Sequence, residues 1–294
     1  MYDPIIVCLT TTPDRIRYLN FVIESLLHQT VKPDKIVLNI PYKCKNKTYN
    51  IPEIFDSDII LINRCKDLGP ITKLIPTLYL DISPNSIIVT VDDDTYLHPN
   101  TISIIKRKSK IYPNSVFSFS GRCVGKFPFC WGLEACNEID KSVDWVEGVH
   151  SITYRRWMLD GDQIVNFKDN MKKDLGDIVN FNDDHVISAY LSHKNINRIS
   201  INKRPIDYFF NLEHKHIGGI SDRKLHFWLE NIKIGKYLVN KGYYGVNPDY
   251  TNTVTFNAVV TPIVFFMNNK IFLLLWCIHL YIFINTNIKL KYKK

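Results

Sequence analysis

Cysteine patterns that hold a metal or crosslink a small fold are missing from the sequence. The seven cysteines contain no C-x-x-C pair and no zinc-finger spacing, so we interpret them as reduced thiols. No signal peptide is recognisable before the first strand-like segment, "IIVCLT", which begins at residue 5. We therefore expect this part of the chain to lie in the cytosol.

Clustered positive charge is also scarce. The net charge is +8 and the pI is about 9.0, but the basic residues are scattered and no recognition motif precedes the C-terminal end. Affinity for nucleic acid depends on basic residues gathered on one face, so we expect no nucleic-acid partner. An anionic small ligand or a membrane surface fits the charge equally well.

Apolar residues, in contrast, are plentiful. Hydrophobic residues make up 46% of the 294 residues, which is enough for one large α/β domain or two closely packed halves. Strand-like and helix-like segments alternate along the first third of the chain. The predicted strands are "IIVCLT", "DKIVLNI", "DIILIN" and "SIIVTV", and the predicted helices are "IRYLNFVIESLLHQ" and "GPITKLIPTLYL".

Alternating strands and helices predict the α/β class, with a mostly parallel central sheet and helices on its faces. Ligands of such sheets bind beyond the carboxyl ends of the strands. Three polar segments fall at these ends, namely "TTPDR", "NRCKDLGP" and "DDDT". The sequence therefore predicts one crevice lined by three loops.

The segment "IIVTVDDDTYLHP" places Asp92, Asp93 and Asp94 directly after a predicted strand. Adjacent carboxylates repel one another, so they need a nearby cation or full exposure to water. Mg²⁺ or Mn²⁺ commonly binds one or two protein carboxylates together with substrate phosphates. A solvated turn that caps the next helix, "PNTISIIKRK", is the alternative.

Four segments, in order, resemble a known family. "SLLHQTVKPDKIVLNIP", "DLGPITKL", "VTVDDDTYLHP" and "NDDHVISAYL" are similar to nucleotide-sugar-dependent glycosyltransferases of the GT-A (Rossmann-like) fold, close to the family-2 type. The resemblance implies transfer of a single sugar, with inversion, from a nucleotide sugar to a glycan or other hydroxyl acceptor. A UDP-sugar is the expected donor. A non-catalytic carbohydrate- or nucleotide-binding module derived from the same fold is the alternative.

The resemblance also assigns residues to the donor site. It implies that Asp92 and Asp94 hold Mn²⁺ or Mg²⁺ and, with Asp93 between them, the sugar diphosphate. It further implies that Asp67 faces the base and that Lys73 contacts a phosphate. The loop that borders the base and ribose consists of Thr10, Thr11, Thr12 and Arg15.

Lys73 can also be interpreted without the resemblance. It lies one turn into a predicted helix whose start points to the crevice. An ammonium group there would add to the helix N-terminus in attracting anions. A surface lysine whose stem lies along apolar residues is the alternative.

Two segments rich in aromatic residues and glycine predict the acceptor site. Glycine permits close backbone approach to a ligand, and an indole offers a sugar ring an apolar platform. Tryptophans that only pack in the core are the alternative. The resemblance favours the glycine, since family members place this loop near the transferred sugar. The candidates are Trp131, Trp145, Glu147 and Gly148.

A second acidic pair, Asp183 and Asp184, begins the predicted helix in "NDDHVISAYL". If one of these aspartates caps the N-terminus of the helix, the other is available as a catalytic group. Inverting transfer needs a carboxylate that takes the proton of the acceptor hydroxyl, and the resemblance assigns this role to Asp184. His216, in "NLEHKHIGGI", is expected from the resemblance to complete the metal site, with a surface histidine as the alternative.

Three differences from the motifs of other enzyme classes narrow the range of expected functions. No Q-x-x-R-W segment follows the acidic pair, so a processive polymerase is not expected. Tyr96 stands where phosphatases of the D-x-D-x-T type need threonine. The segment "TTTPDR" lacks the glycine-rich loop of sugar-nucleotide pyrophosphorylases.

The C-terminal segment differs in character from the rest. Residues 1–253 are predicted to form the glycosyltransferase domain, with a nucleotide-sugar half at 1–98 and an acceptor half at 99–253. In the tail, 254–294, the apolar run 271–284 is broken by one histidine and followed by lysines. The run is shorter than the ~20 residues of a bilayer span. We expect the tail to contact a membrane, with a helix packed on the domain as the alternative.

Overall fold

The computed structural model describes residues 3–55, 57–125, 132–135, 139–201, 209–211 and 224–245. The chain divides into two compact units, Met1–Val124 with Leu133–Val246 and Gly125–Gly132 with Asn247–Lys294. The second unit lies almost wholly outside the described residues. The central sheet and the candidate site belong to the first. The predicted division at residue 98 stays a prediction.

Strands and helices alternate along the described chain. The helices are α1 Leu19–Leu27, α2 Thr101–Ile111, α3 Gly161–Leu175, α4 Asp183–His193 and α5 Lys224–Asn240. The strands are β1 Ile5–Leu9, β2 Lys35–Pro41, β3 Ile60–Cys65, β4 Ile87–Thr90, β5 Thr95–Leu97, β6 Ser115–Ser118, β7 Gly121–Gly125, β8 Gly132–Ala135, β9 Lys141–Ser142, β10 Trp145–Val146, β11 Ile152–Arg155, β12 Asn197–Ser200 and β13 Phe209–Asn211.

Among the described residues, eight strands form one sheet in the order β3-β2-β1-β4-β11-β6-β12-β9. Four strands, in the order β3-β2-β1-β4, are parallel to one another, and β6 is parallel to β12. Strand β11 runs antiparallel between β4 and β6, and the edge strand β9 is antiparallel to β12. The remaining described strands form sheets ordered β10-β7-β8 and β13-β5. The predicted α/β class, with a mostly parallel central sheet and flanking helices, is confirmed.

The core lies against the parallel strands. Every residue of β1 and β4 is buried, as expected for strands covered on both faces. Helix α1 packs on the sheet through one face, which consists of Leu19, Val22, Ile23 and Leu26. Because the sheet fixes β1, β2, β3 and β4 side by side, the loops after them are brought to one edge.

One predicted helix is wrong. The segment "GPITKLIPTLYL" forms two short 3₁₀ helices, Pro70–Lys73 and Ile75–Tyr79. Pro76 explains the interruption, because it has no N–H to donate to the Thr72 carbonyl and its ring would clash with that carbonyl in an α-helix. Lys73 is therefore the last residue of a short 3₁₀ helix and does not lie inside a longer α-helix.

The hydrophobic tail, residues 254–294, lies outside the described residues, so its membrane contact stays a prediction. Helix α5, with 17 residues, is the longest helix of the described chain. None of the helices in the described ranges is both long and apolar enough to cross a bilayer.

Candidate functional site

The loops after the parallel strands meet at the carboxyl edge of the sheet, as predicted. The hydroxyl of Thr11, after β1, donates a hydrogen bond to the carboxylate of Asp93, after β4. Tyr49, after β2, donates its hydroxyl to the Thr11 carbonyl at 2.9 Å. Gly69, after β3, has a φ of +79°, and a β-carbon there would lie 2.7 Å from the carbonyl oxygen of Asn180. The first two contacts join the loops after β1, β2 and β4 at Asp93, and the third joins the loop after β3 to the segment that precedes α4.

Arg15 supplies a cation to the adjacent aspartates. Its guanidinium is buried and lies 2.8 Å from Asp93 Oδ1 and 2.7 Å from Asp94 Oδ2. Asp93 is only 8% exposed, so the alternative of a solvated turn is wrong for this residue. Burial raises the pKa of Asp93 to about 7, although Arg15 and Thr11 act to lower it. Arg15, which was expected to border the base and ribose, is thus bound to the aspartates.

Lys73 links the aspartates after β4 to helix α4. Its Nζ is buried and lies 2.8 Å from Asp92 Oδ1 and 3.1 Å from Asp183 Oδ2. Burial by itself would lower the pKa of Lys73, but Asp183, Asp92 and Asp184 hold it well above its usual value. The alternative of a surface lysine is wrong. The phosphate contact of Lys73 stays a prediction.

Gly148 brings its loop directly against these charged groups. Its N–H donates to Asp184 Oδ2 at 2.9 Å. A β-carbon on Gly148 would lie 2.8 Å from Asp184 Oδ1 and 2.9 Å from Lys73 Nζ, which is closer than packed atoms approach. The Val146 N–H also donates to the Ser188 hydroxyl at 3.1 Å, so the loop is tied to α4 at two points.

The two aspartates of α4 lie in its first turn, after Asn182 at the N-cap. The expectation that one of them is the N-cap is therefore wrong. Burial and the charge of Asp183 raise the pKa of Asp184 well above its usual value, while Lys73 and the Gly148 N–H oppose that rise. A carboxylate with a raised pKa is a stronger base, which suits proton abstraction.

We define the acidic cluster as Asp92, Asp93, Asp94, Asp183 and Asp184. It offers only oxygen ligands, which suit Mg²⁺ and Mn²⁺. Asp92 and Asp94 keep 28% and 21% of their side chains exposed, whereas Asp93 between them pairs with buried Arg15. Within the described ranges, no group of three or more His, Cys, Asp or Glu side chains is placed to hold a metal by itself. Asp92 and Asp94 thus offer partly exposed carboxylate oxygens, which suit such a cation in ligand chemistry, and the binding of a metal here stays a prediction.

The other predicted donor-site residues lie around the same crevice. Thr10 donates its hydroxyl to the Asn39 carbonyl at 2.7 Å. The Thr12 carbonyl accepts two N–H groups of the following turn. Asp67 is exposed and accepts the Gly69 N–H at 2.9 Å. Their contacts with a nucleotide stay predictions.

The predicted acceptor residues have different environments. Trp145 is 6% exposed, and its ring lies 4.0 Å from that of His185, so core packing describes it better than a sugar platform. The Glu147 carboxylate is held by Arg122 Nε at 2.5 Å and by the Ser120 hydroxyl. Trp131 and His216 lie outside the described residues.

Asn39 is a site residue that the sequence interpretation missed. It is fully buried in β2, and its Nδ2 donates to the Lys73 carbonyl at 3.0 Å and to the Thr77 hydroxyl at 2.7 Å. Its Oδ1 accepts from Asn63 at 2.8 Å. Buried amides need such partners, and an asparagine inside the apolar strand "KIVLNIP" is the signal that marks it.

His185 follows Asp184 on α4 and is buried against Trp145. Burial lowers its pKa to about 3, and its Nδ1 lies 2.9 Å from the Tyr244 hydroxyl. The folded state therefore holds a neutral imidazole, whereas the unfolded chain takes up a proton near pH ~6.5. The stability linked to this residue is present above that pH and is lost as the pH falls towards 3.

We expect His185→Phe to weaken this acid sensitivity. Through His185 alone, the native protein should lose about 2 kcal/mol of unfolding free energy between pH 7 and pH 5, and the variant should not. Urea unfolding at both pH values measures the difference, with His28→Phe at an exposed position as the control. Equal pH dependence of the native protein and His185→Phe would contradict the prediction.

No protein-family model matches the sequence, and no curated protein matches it. A TarS fragment of S. aureus in complex with UDP-GlcNAc is 16% identical, with a TM-score of 0.47, over 82% of this chain and 67% of that chain. The fragment with UDP is 12% identical, with a TM-score of 0.44, over 82% and 72%. Francisella tularensis 2-C-methyl-D-erythritol 4-phosphate cytidylyltransferase (IspD) is 12% identical, with a TM-score of 0.40, over 68% and 91%. At these identities and scores the likenesses carry no argument about the reaction.

Proposed function

We propose that this chain is a glycosyltransferase that moves one sugar from a nucleotide-sugar donor to a hydroxyl acceptor, with inversion and with Mn²⁺ or Mg²⁺ as cofactor. The observation that carries the proposal is that Asp92, after β4, and the acidic pair of α4 lie around one buried ammonium group, that of Lys73. Lys73 joins the two groups, and Gly148 lies against both Lys73 and Asp184. Their place, the carboxyl edge of a parallel run of strands, is where such sheets bind ligands.

The proposed donor is a UDP-sugar. Its nucleoside lies against the loop of Thr10, Thr11 and Thr12, and its diphosphate lies at Asp92 and Asp94. Asp92 and Asp94 would hold a divalent cation there, which would supply positive charge to stabilise the departing diphosphate. Lys73, whose Nζ is 2.8 Å from Asp92, is near enough to add a second positive charge.

Asp184 is the proposed general base. The Gly148 N–H holds Oδ2, so Oδ1 takes the proton of the acceptor hydroxyl. The acceptor oxygen forms its bond to the anomeric carbon as the bond from that carbon to the diphosphate oxygen breaks. The nucleoside diphosphate leaves with the electron pair. Attack opposite to the leaving group inverts the anomeric centre.

Asp94→Asn should weaken Mn²⁺-dependent nucleotide binding by at least about tenfold, since losing only the partner of a metal ligand costs ~10- to 100-fold in metal affinity. The fold should survive, because Arg15 keeps Asp93 as its partner. Calorimetric titration with UDP, with and without Mn²⁺, measures the effect. The control is Asp14→Asn, which removes only an exposed ion pair with Lys47. Unchanged UDP affinity of Asp94→Asn under both conditions rejects the role.

A further inference from the structure

Lys73 places an ammonium group inside the acidic cluster. Its Nζ lies 2.8 Å from Asp92 Oδ1 and 3.1 Å from Asp183 Oδ2, and only 10% of its side chain is exposed. Asp184 adds to the negative field around it. An ammonium has three N–H donors, so one lysine serves several carboxylates at once.

This ammonium and a divalent cation compete for the same carboxylate. Asp92 is a proposed ligand of the cation, and it is also the nearest partner of Lys73. Like charges a few ångströms apart in a half-buried site repel strongly. Lys73 therefore opposes a cation at Asp92 for as long as its Nζ stays there.

The backbone of Lys73 is fixed, but its side chain is long. Buried Asn39 binds the Lys73 carbonyl at 3.0 Å, which anchors the turn. The ammonium group of Lys73 is attached through four flexible methylene groups, so it can move to a new partner while the backbone stays in place. The guanidinium of Arg15 is not free to change partners in this way, because it is also bound to buried Asp93.

We propose that Lys73 is a positioning residue that makes cation binding depend on the donor. Before the donor binds, Nζ holds Asp92 and Asp183 and keeps a divalent cation weakly bound. When the donor diphosphate arrives, Nζ turns from Asp92 to a phosphate oxygen, and Asp92 is released to the cation. This inference rests on the proposed function, because it needs both a diphosphate and a cation at the acidic cluster.

The test is Mn²⁺ binding by the full chain, followed from the electron paramagnetic resonance signal of free Mn²⁺, with and without UDP. The native protein should bind Mn²⁺ about tenfold or more tightly once UDP is present. Lys73→Gln should bind Mn²⁺ without UDP about tenfold or more tightly than the native protein does, and UDP should tighten its Mn²⁺ binding by a smaller factor than in the native protein. Lys73→Arg keeps the charge and should retain the dependence on UDP. Lys108→Gln, which breaks the ion pair between Lys108 of α2 and Asp140 outside the acidic cluster, should behave like the native protein.

Thermal unfolding gives a second measurement that does not require Lys73→Gln to be stable by itself. Mn²⁺ alone should raise the unfolding temperature of Lys73→Gln, or restore its folding, because the cation replaces the lost positive charge. Lys73→Gln that stays unfolded in Mn²⁺ overturns the inference.

Two other results overturn it in distinguishable ways. If Lys73→Gln without UDP binds Mn²⁺ as weakly as the native protein, while UDP still tightens binding in both, the role of Lys73 fails and the proposed function stands. If the native protein binds Mn²⁺ and UDP neither separately nor together, the proposed function fails, and the inference fails with it.

Discussion

Asp184→Asn is expected to reduce turnover by about 10²- to 10⁴-fold, with donor affinity close to that of the native protein. The substitution removes the carboxylate that takes the acceptor proton. The amide keeps the size of the side chain, and its oxygen still accepts the Gly148 N–H, so the loop should stay in place. Steady-state kinetics measures turnover, and calorimetry with UDP and Mn²⁺ measures donor binding.

Asp183→Asn is the matched control for Asp184→Asn, since both residues lie in the first turn of α4. Asp183 contacts Lys73 at 3.1 Å, so we expect a milder loss that comes from the pairing of Lys73. Near-native turnover of Asp184→Asn would transfer the role of base to Asp183 or Glu147. Because Glu147 is held by Arg122, Asp183 would then be tested first.

Gly148→Ala is expected to lower turnover by about 100-fold, the effect of moving reacting groups by about 1 Å. The added methyl group would lie 2.8 Å from Asp184 Oδ1 and 2.9 Å from Lys73 Nζ, so at least one charged group has to move. Both atoms are the ends of side chains. The backbone can therefore keep its place, and the unfolding temperature should change little.

Gly245→Ala is the control for this loss, because a β-carbon there would lie 3.6 Å from the nearest atom, Asp144 Oδ1, an ordinary contact. Kinetics and thermal unfolding of both variants separate damage to the site from damage to the fold. Native turnover of Gly148→Ala would mean that the positions of Asp184 and Lys73 do not matter for the reaction.

Local sequence pattern predicts the scaffold of this site well. The four strand segments up to "SIIVTV" are apolar and short, and all four are strands of the central sheet. Because parallel strands share one carboxyl edge, the sequence places the loops of Thr11 and Asp93 at the same edge, and the pairing of β1 with β4 then brings the two residues together. Gly148 was expected to approach a ligand closely, and this stays a prediction; the groups against which the structure places it are Asp184 and Lys73.

Pairing over long distances along the chain is what the sequence does not reveal. Lys73 meets Asp183 across more than a hundred residues, whereas its place in a predicted helix indicated only that it lies near the crevice. Trp145 has the aromatic side chain expected of a platform for a sugar ring, but the ring of His185, forty residues later, packs against it. Such contacts depend on how α4 docks on the sheet, and no local pattern specifies this.

Release of a nucleoside diphosphate from a nucleotide sugar tests the proposed function most directly. The full chain is incubated with Mn²⁺ and a panel of nucleotide sugars, and the free nucleoside diphosphate is measured beside Asp94→Asn. We predict release from at least one donor, a UDP-sugar, and suppression of that release in Asp94→Asn. UDP binding without release from any donor would favour a non-catalytic binding module, and neither binding nor release would contradict a nucleotide-sugar site at the acidic cluster.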